Sequence, residues 1–146
     1  MPDTQLYTQQ SAQRKANVII GSLENSKLRL FRDTLSLTQF TTRAQLVAAE
    51  CNFDGYPSGG YELSAFTGPI LDQNGGSVLT SPLVNPAYGE PSDPPVGNQV
   101  GGWWIEDEDE NVRVAGAYNP TRPIQVEGDG FAIVVQIVEA RNPVGA

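Results

Sequence analysis

Apolar positions in residues 4–23 recur at helical spacing. Ala12, Ala16, Ile19, Ile20 and Leu23 share one stripe, and Gln13, Arg14 and Lys15 fall mostly off it. The pattern predicts a short helix, weakened in its last turn by Gly21. A helix of this length is marginal alone in water, so it needs a surface to dock on. From Lys27 the period changes to two. Lys27-Leu28-Arg29-Leu30-Phe31-Arg32 alternates basic and apolar side chains, the pattern of a half-buried strand. Thr42-Arg43-Ala44-Gln45 then has the form of a capping box and opens a second short helix ending near Glu50.

Two turn signals follow, Phe53-Asp54-Gly55-Tyr56 and Pro57-Ser58-Gly59-Gly60. Tyr61–Phe66 alternates again, and Asp72–Gly76, with Asn-Gly at its centre, predicts a hairpin turn returning through Ser77–Thr80. Residues 81–102 hold five prolines and read as one long, stiff loop, because proline removes a ladder donor. The C-terminal third predicts two hairpins. One joins Trp103–Glu106 to Val112–Tyr118 through an acidic turn. The other joins Ile124–Val126 to Phe131–Glu139 through Glu127-Gly128-Asp129-Gly130. Phe131–Glu139 is apolar on both faces and reads as a central strand. The fold class expected is mainly β: an antiparallel β-sandwich or small jelly-roll-like barrel, with an N-terminal helical or extended arm and one short helix near 42–50. The division expected is an arm over 1–26 and a β-domain over 27–146.

Composition supports this reading. Gly (15) and Pro (11) together exceed the usual combined share of about 12% in 146 residues, against a helical bundle. The chain has no histidine, which removes His-based triads, bases and metal ligands. It has one cysteine, Cys51, so no intrachain disulfide forms, and a free cysteine of this kind is expected buried. No G-x-S-x-G elbow or phosphate-cradling loop is present, and no enzymatic activity or cofactor is expected. No run approaches the roughly 18 apolar residues of a membrane-spanning helix. The polar N-terminus lacks the apolar stretch of a secretory signal, so a soluble protein made and assembled inside a cell is expected.

The net charge of −8 is unevenly spread. Residues 1–43 hold six basic and three acidic residues, and residues 44–146 hold three basic and fourteen acidic ones. An acidic body disfavours nucleic acid, whose binding needs Lys and Arg on phosphates. A basic N-terminal part suits an acidic neighbour, including another copy of the chain. Arg14, Lys15, Ile19, Ile20, Lys27, Arg29 and Arg32 are therefore the expected partner-binding residues. Trp103 and Trp104 join them: adjacent strand residues face opposite ways, so one ring serves the core and the other reaches a neighbour. The acidic run Glu106–Glu110 lacks the glycine and distal glutamate of an EF-hand loop and is expected to be a solvated turn, with no metal site.

Leu28-Arg29-Leu30-Phe31, then Thr41-Thr42-Arg43-Ala44-Gln45-Leu46-Val47-Ala48-Ala49-Glu50, then Phe53-Asp54-Gly55-Tyr56, resembles small virion proteins of tailed bacteriophages. Gly101-Gly102-Trp103-Trp104-Ile105 with its acidic hairpin is similar to them too. The resemblance spans roughly residues 28–140 and implies a capsid cement (decoration) protein. Such a protein forms a homotrimer on the capsid exterior, grips the major capsid protein through an arm, and assembles in the host cytoplasm. The same β-architecture serves tail fibres, baseplates and receptor-binding modules, which stand as the alternative. A carbohydrate-binding domain is the third reading.

Overall fold

The computed structural model describes residues 23–71, 77–89 and 93–139. Among the described residues the fold is mainly β, with two antiparallel sheets and one short helix. The elements described run β1 (Ser26–Arg32), α1 (Arg43–Ala48), β2 (Tyr61–Leu63), β3 (Thr67–Leu71), β4 (Ser77–Thr80), β5 (Asn98–Glu106), β6 (Val112–Ile124) and β7 (Gln136–Glu139). The helix expected over 4–23 lies, except for the buried Leu23, outside the described residues.

One compact unit comprises Asn25–Leu63 and Leu83–Ile133 and carries the sheet β2-β1-β5-β6. β1 is paired on both sides, with Lys27 opposite Glu62 on β2 and Arg29 opposite Trp104 on β5. Period-two alternation places Leu28 and Leu30 on one face of β1 and Arg29 and Phe31 on the other. All four are buried, so β1 is covered on both faces, not half-buried as its alternation suggests. The second face forms a core of Phe31, Leu46, Ala49 and Trp104, against which Leu35, Leu37 and Ala115 pack. Full burial of a side chain such as Phe31 or Leu46 contributes about 1.5–3 kcal/mol.

α1 forms where its capping box stands. The Thr42 hydroxyl accepts from Gln45 N (3.2 Å), and the Gln45 side chain accepts from Thr42 N (2.9 Å). Leu46 is its buried contact. The segment is too short to hold alone and is pinned where it rejoins β1: Arg32 N donates to Ala49 O (2.8 Å) and Cys51 N to Leu30 O (2.9 Å). Downstream, Asp54-Gly55 crosses Gly89, whose N–H donates to Asp54 O (2.7 Å). Gly55 has φ +93°, and a Cβ there would lie 2.8 Å from Gly89 N, so only glycine fits.

The second unit contains Ser64–Pro82 and the sheet β3-β4-β7. β3 and β4 form the hairpin expected around the Asn-Gly turn, whose residues 72–76 lie outside the described ones. Its first strand is Thr67–Leu71; the alternating 61–66 stretch is divided, with β2 ending at Leu63. Ser81 holds Val135 twice, N–H to carbonyl (2.8 Å) and Val135 N to Ser81 Oγ (2.8 Å).

Two expected elements differ. The loop placed at 81–102 gives up Asn98–Gly102 to β5, because the proline-free end of that segment is flat enough to enter the sheet. The hairpin expected across 124–139 does not form. Ile124 ends β6 opposite Asn98, and the Asp129 carboxylate turns the chain by accepting from Gln125 N (2.9 Å) and Val126 N (3.1 Å). Residues 130–133 then bridge to 84–87, and only Gln136–Glu139 forms β7, at one end of its sheet. An apolar run reads as one strand until its halves meet different partners.

Gly102 sets the spacing of β5, β6 and β1, since a Cβ there would run into the Gly116 carbonyl and the Phe31 ring. Gly102→Ala is expected to cost about 1–3 kcal/mol through overpacking, read as a lower urea midpoint.

Candidate functional site

The polar residues that converge most closely lie around Arg29. Its register opposite Trp104 sets the guanidinium over the indole, 5.2 Å from the ring centroid. Arg29 Nε and Nη2 donate to Glu50 Oε2 (2.7 Å) and Oε1 (2.6 Å), a bidentate pair. Arg29 Nη1 donates to Glu106 Oε1. Arg43, from the first turn of α1, donates through Nε to Glu106 Oε2 (2.7 Å), and its Nη1 lies 3.6 Å from Glu110. The Tyr56 hydroxyl donates to Glu50 Oε2 (2.7 Å) and accepts from Leu30 N (3.1 Å). The DGY turn thus closes the cluster from below.

These groups are well removed from water. The Glu106 side chain is 4% exposed, Arg29 11% and Glu50 16%. Burial pushes the Glu106 carboxyl up, but the hydrogen bonds from Arg43 and Arg29 outweigh it and hold the group below the usual carboxylate range. The Arg29 guanidinium is held more firmly protonated, chiefly by its bonds to Glu50. Burial drives the Tyr56 hydroxyl well above its ordinary value. Each of the four oxygens of Glu50 and Glu106 has a donor. Both carboxylates are engaged by these donors inside the unit. The arrangement joins β1, α1, β5 and the segment after α1; chemically it is a clamp.

Several expected partner residues are therefore engaged inside the unit. Arg29 faces the clamp instead of a partner, because β1 is buried on both faces. Arg32 donates to the carbonyls of Ala48 (3.2 Å) and Ala49 (3.4 Å), satisfying the end of α1. Trp104 is fully buried core, and Trp103 is half-buried with its ring against Gly116. Lys27 is half-buried and makes no ion pair among the described residues. It lines an open groove of about 460 Å³ with Ser58, Tyr61, Glu62, Leu83 and Asn85. Arg14, Lys15, Ile19 and Ile20 lie outside the described residues.

The acidic run is divided. Glu108, Asp109 and Glu110 are exposed as expected, but Glu106 and Asp107 are buried. Asp107 builds the turn: its Oδ1 accepts from Asn111 N (3.0 Å) and Asp109 N (3.0 Å), and these bonds lower its pKa. Among the described residues, no three His, Cys, Asp or Glu side chains group as metal ligands. The sequence reading missed Glu50, Tyr56 and Arg43 as a unit. The available signals were weak: an arginine inside a capping box and a tyrosine after Asp-Gly.

No family model, curated protein or solved structure matches the chain.

Glu106 has a lower pKa folded than unfolded, so the unfolded chain binds more protons in the acid range. Its stabilisation is full above the ordinary value of about 4.5 and is lost as pH falls through the folded value. The urea midpoint is expected to fall below that pH, with a shallower fall in Glu106→Gln. At neutral pH that variant loses about 3 kcal/mol, because Arg29 and Arg43 are left short of a counter-charge. Cys51 is buried as expected, and burial pushes its thiol up to about 12. A thiol reagent at mildly alkaline pH is expected to label it only after denaturation; rapid labelling of the native protein would contradict this.

Proposed function

We propose that the chain is a structural virion protein of a tailed phage, a capsid cement or decoration protein that forms homo-oligomers on the shell and grips the major capsid protein. The observation that carries this reading is the buried clamp. Arg29, Glu50, Glu106 and Arg43 bind one another and stiffen an antiparallel β-body, which suits a part whose task is to persist in place. The resemblance to small phage virion proteins supplies the particle. In this reading residues 1–26 are the arm, with Arg14 and Lys15 as its basic contacts and Ile19 and Ile20 as its apolar ones. Many weak contacts repeated by symmetry give avidity without new chemistry.

The alternative is a tail fibre, baseplate or receptor-binding module. It moves the contact to the proline-rich segment, where Leu83 stands 59% exposed beside the Lys27 groove. Sugar stacking on Trp104 is no part of it, since that ring is core.

Cryo-EM of intact particles tests the proposal. Many copies at the local symmetry axes of the shell are expected. Density confined to the tail would replace the cement reading with the attachment one, and absence from the particle would overturn both.

A further inference from the structure

β6 is an outer strand of its sheet, and its open edge runs along Val112–Ala117. These residues pair with β5, and among the described residues none of their backbone groups bonds to anything beyond it. In an antiparallel ladder every other residue turns its N–H and C=O away from the partner strand, so an edge presents an open row of donors and acceptors. Edges are ordinarily blunted by short strands or prolines. The other edge of this sheet, β2, has three residues. β6 has thirteen, and its prolines, Pro120 and Pro123, lie beyond Ala117.

The side chains leave that row accessible. Val112, Arg113 and Ala117 are exposed, and Ala115 and Gly116 are half-buried. Trp103 pairs with Gly116, and a Cβ on that glycine would stand 2.7 Å from the indole. The half-buried ring therefore lies across β6, where a strand added at the edge would set a side chain beside it.

An open main-chain row is matched by an extended main chain, which answers donor with acceptor at the same spacing. Charge sets the rest. Glu108, Asp109 and Glu110 stand exposed at the start of the edge. Arg113, the basic residue between them and Ala117, lies 3.4 Å from Asp107. The chain as a whole carries −8. A second copy would bring its own −8 to this edge, whereas a segment carrying cations meets the opposite sign. We propose that the outer edge of β6 takes up a basic, extended peptide segment of another protein as an added strand, with its cation beside the acidic turn. The proposal is independent of the virion reading, which particle imaging decides by itself.

Peptide titration of the full chain, followed by amide chemical shifts and tryptophan emission, tests it. The probe is a capped peptide of alternating valine and threonine with a lysine at each end; the control ends in glutamates. The lysine peptide is expected to shift the amides of Val112–Ala117 and to change an emission that is lost in Trp103→Phe, since Trp104 is core. It is expected to bind roughly tenfold tighter than the glutamate peptide at low salt, with the difference shrinking as salt rises. The double variant Glu108→Lys, Asp109→Lys is expected to reverse that preference. N-methylation of alternate peptide amides is expected to abolish binding in one register and spare it in the other, because an added strand turns only one of its edges to β6. Equal affinity for the two peptides would overturn the basic partner. Shifts confined to other residues, or none up to about 1 mM peptide, would overturn the edge as a site. Shifts at Val112–Ala117 that grow with protein concentration alone would make a second copy the occupant and overturn the proposal.

Discussion

The buried guanidinium of Arg29 is the constraint around which the larger unit is arranged. A charge this far from water costs several kcal/mol in desolvation unless it is met by counter-charges in good geometry. Glu50 and Glu106 meet it from two different elements, one after α1 and one at the end of β5, separated from Arg29 by 21 and 77 positions. Arg43 then balances the second carboxylate. Two cations and two anions close to neutrality, which is the condition for keeping Arg29 and both carboxylates inside, with Arg43 at the rim. The net gain over an apolar core of the same volume is small; what the clamp supplies is position. Any displacement of α1 or β5 would leave a charge without its partner, and that is costly.

The consequences run outward from there. Because Arg29 lies over Trp104, the indole is fixed as core and cannot serve a surface. Because Arg43 is held to Glu106, a helix of six residues stays docked where its intrinsic stability would not keep it. The segment that precedes it, between β1 and α1, is then an element of defined shape instead of a loose loop.

The arrangement also redistributes the charge map read from composition. The basic N-terminal part looked available to an acidic neighbour, but Arg29 and Arg43 are neutralised internally and Arg32 is engaged with the end of α1. Of the basic residues of β1, Lys27 and Arg32 make no ion pair among the described residues, and Arg32 is bonded to backbone carbonyls instead. The acidic turn loses two of its five carboxylates to the interior in the same way, Glu106 to the clamp and Asp107 to its own turn.

Local patterns determined a good part of this protein. The alternation of β1, the capping box of α1, the hairpin of β5 and β6 around the acidic turn and the burial of Cys51 were all legible, because each depends on near neighbours or on an intrinsic preference. Tertiary structure decided the rest. That β1 is covered on both faces, that 130–133 and 136–139 pair with different segments, that Asn98–Gly102 joins a sheet, and that Arg29 meets two distant glutamates are facts about partners. A residue's period along the chain gives the face it will present. Which surface covers that face is set by groups dozens of positions away, and their approach is recorded in no local pattern.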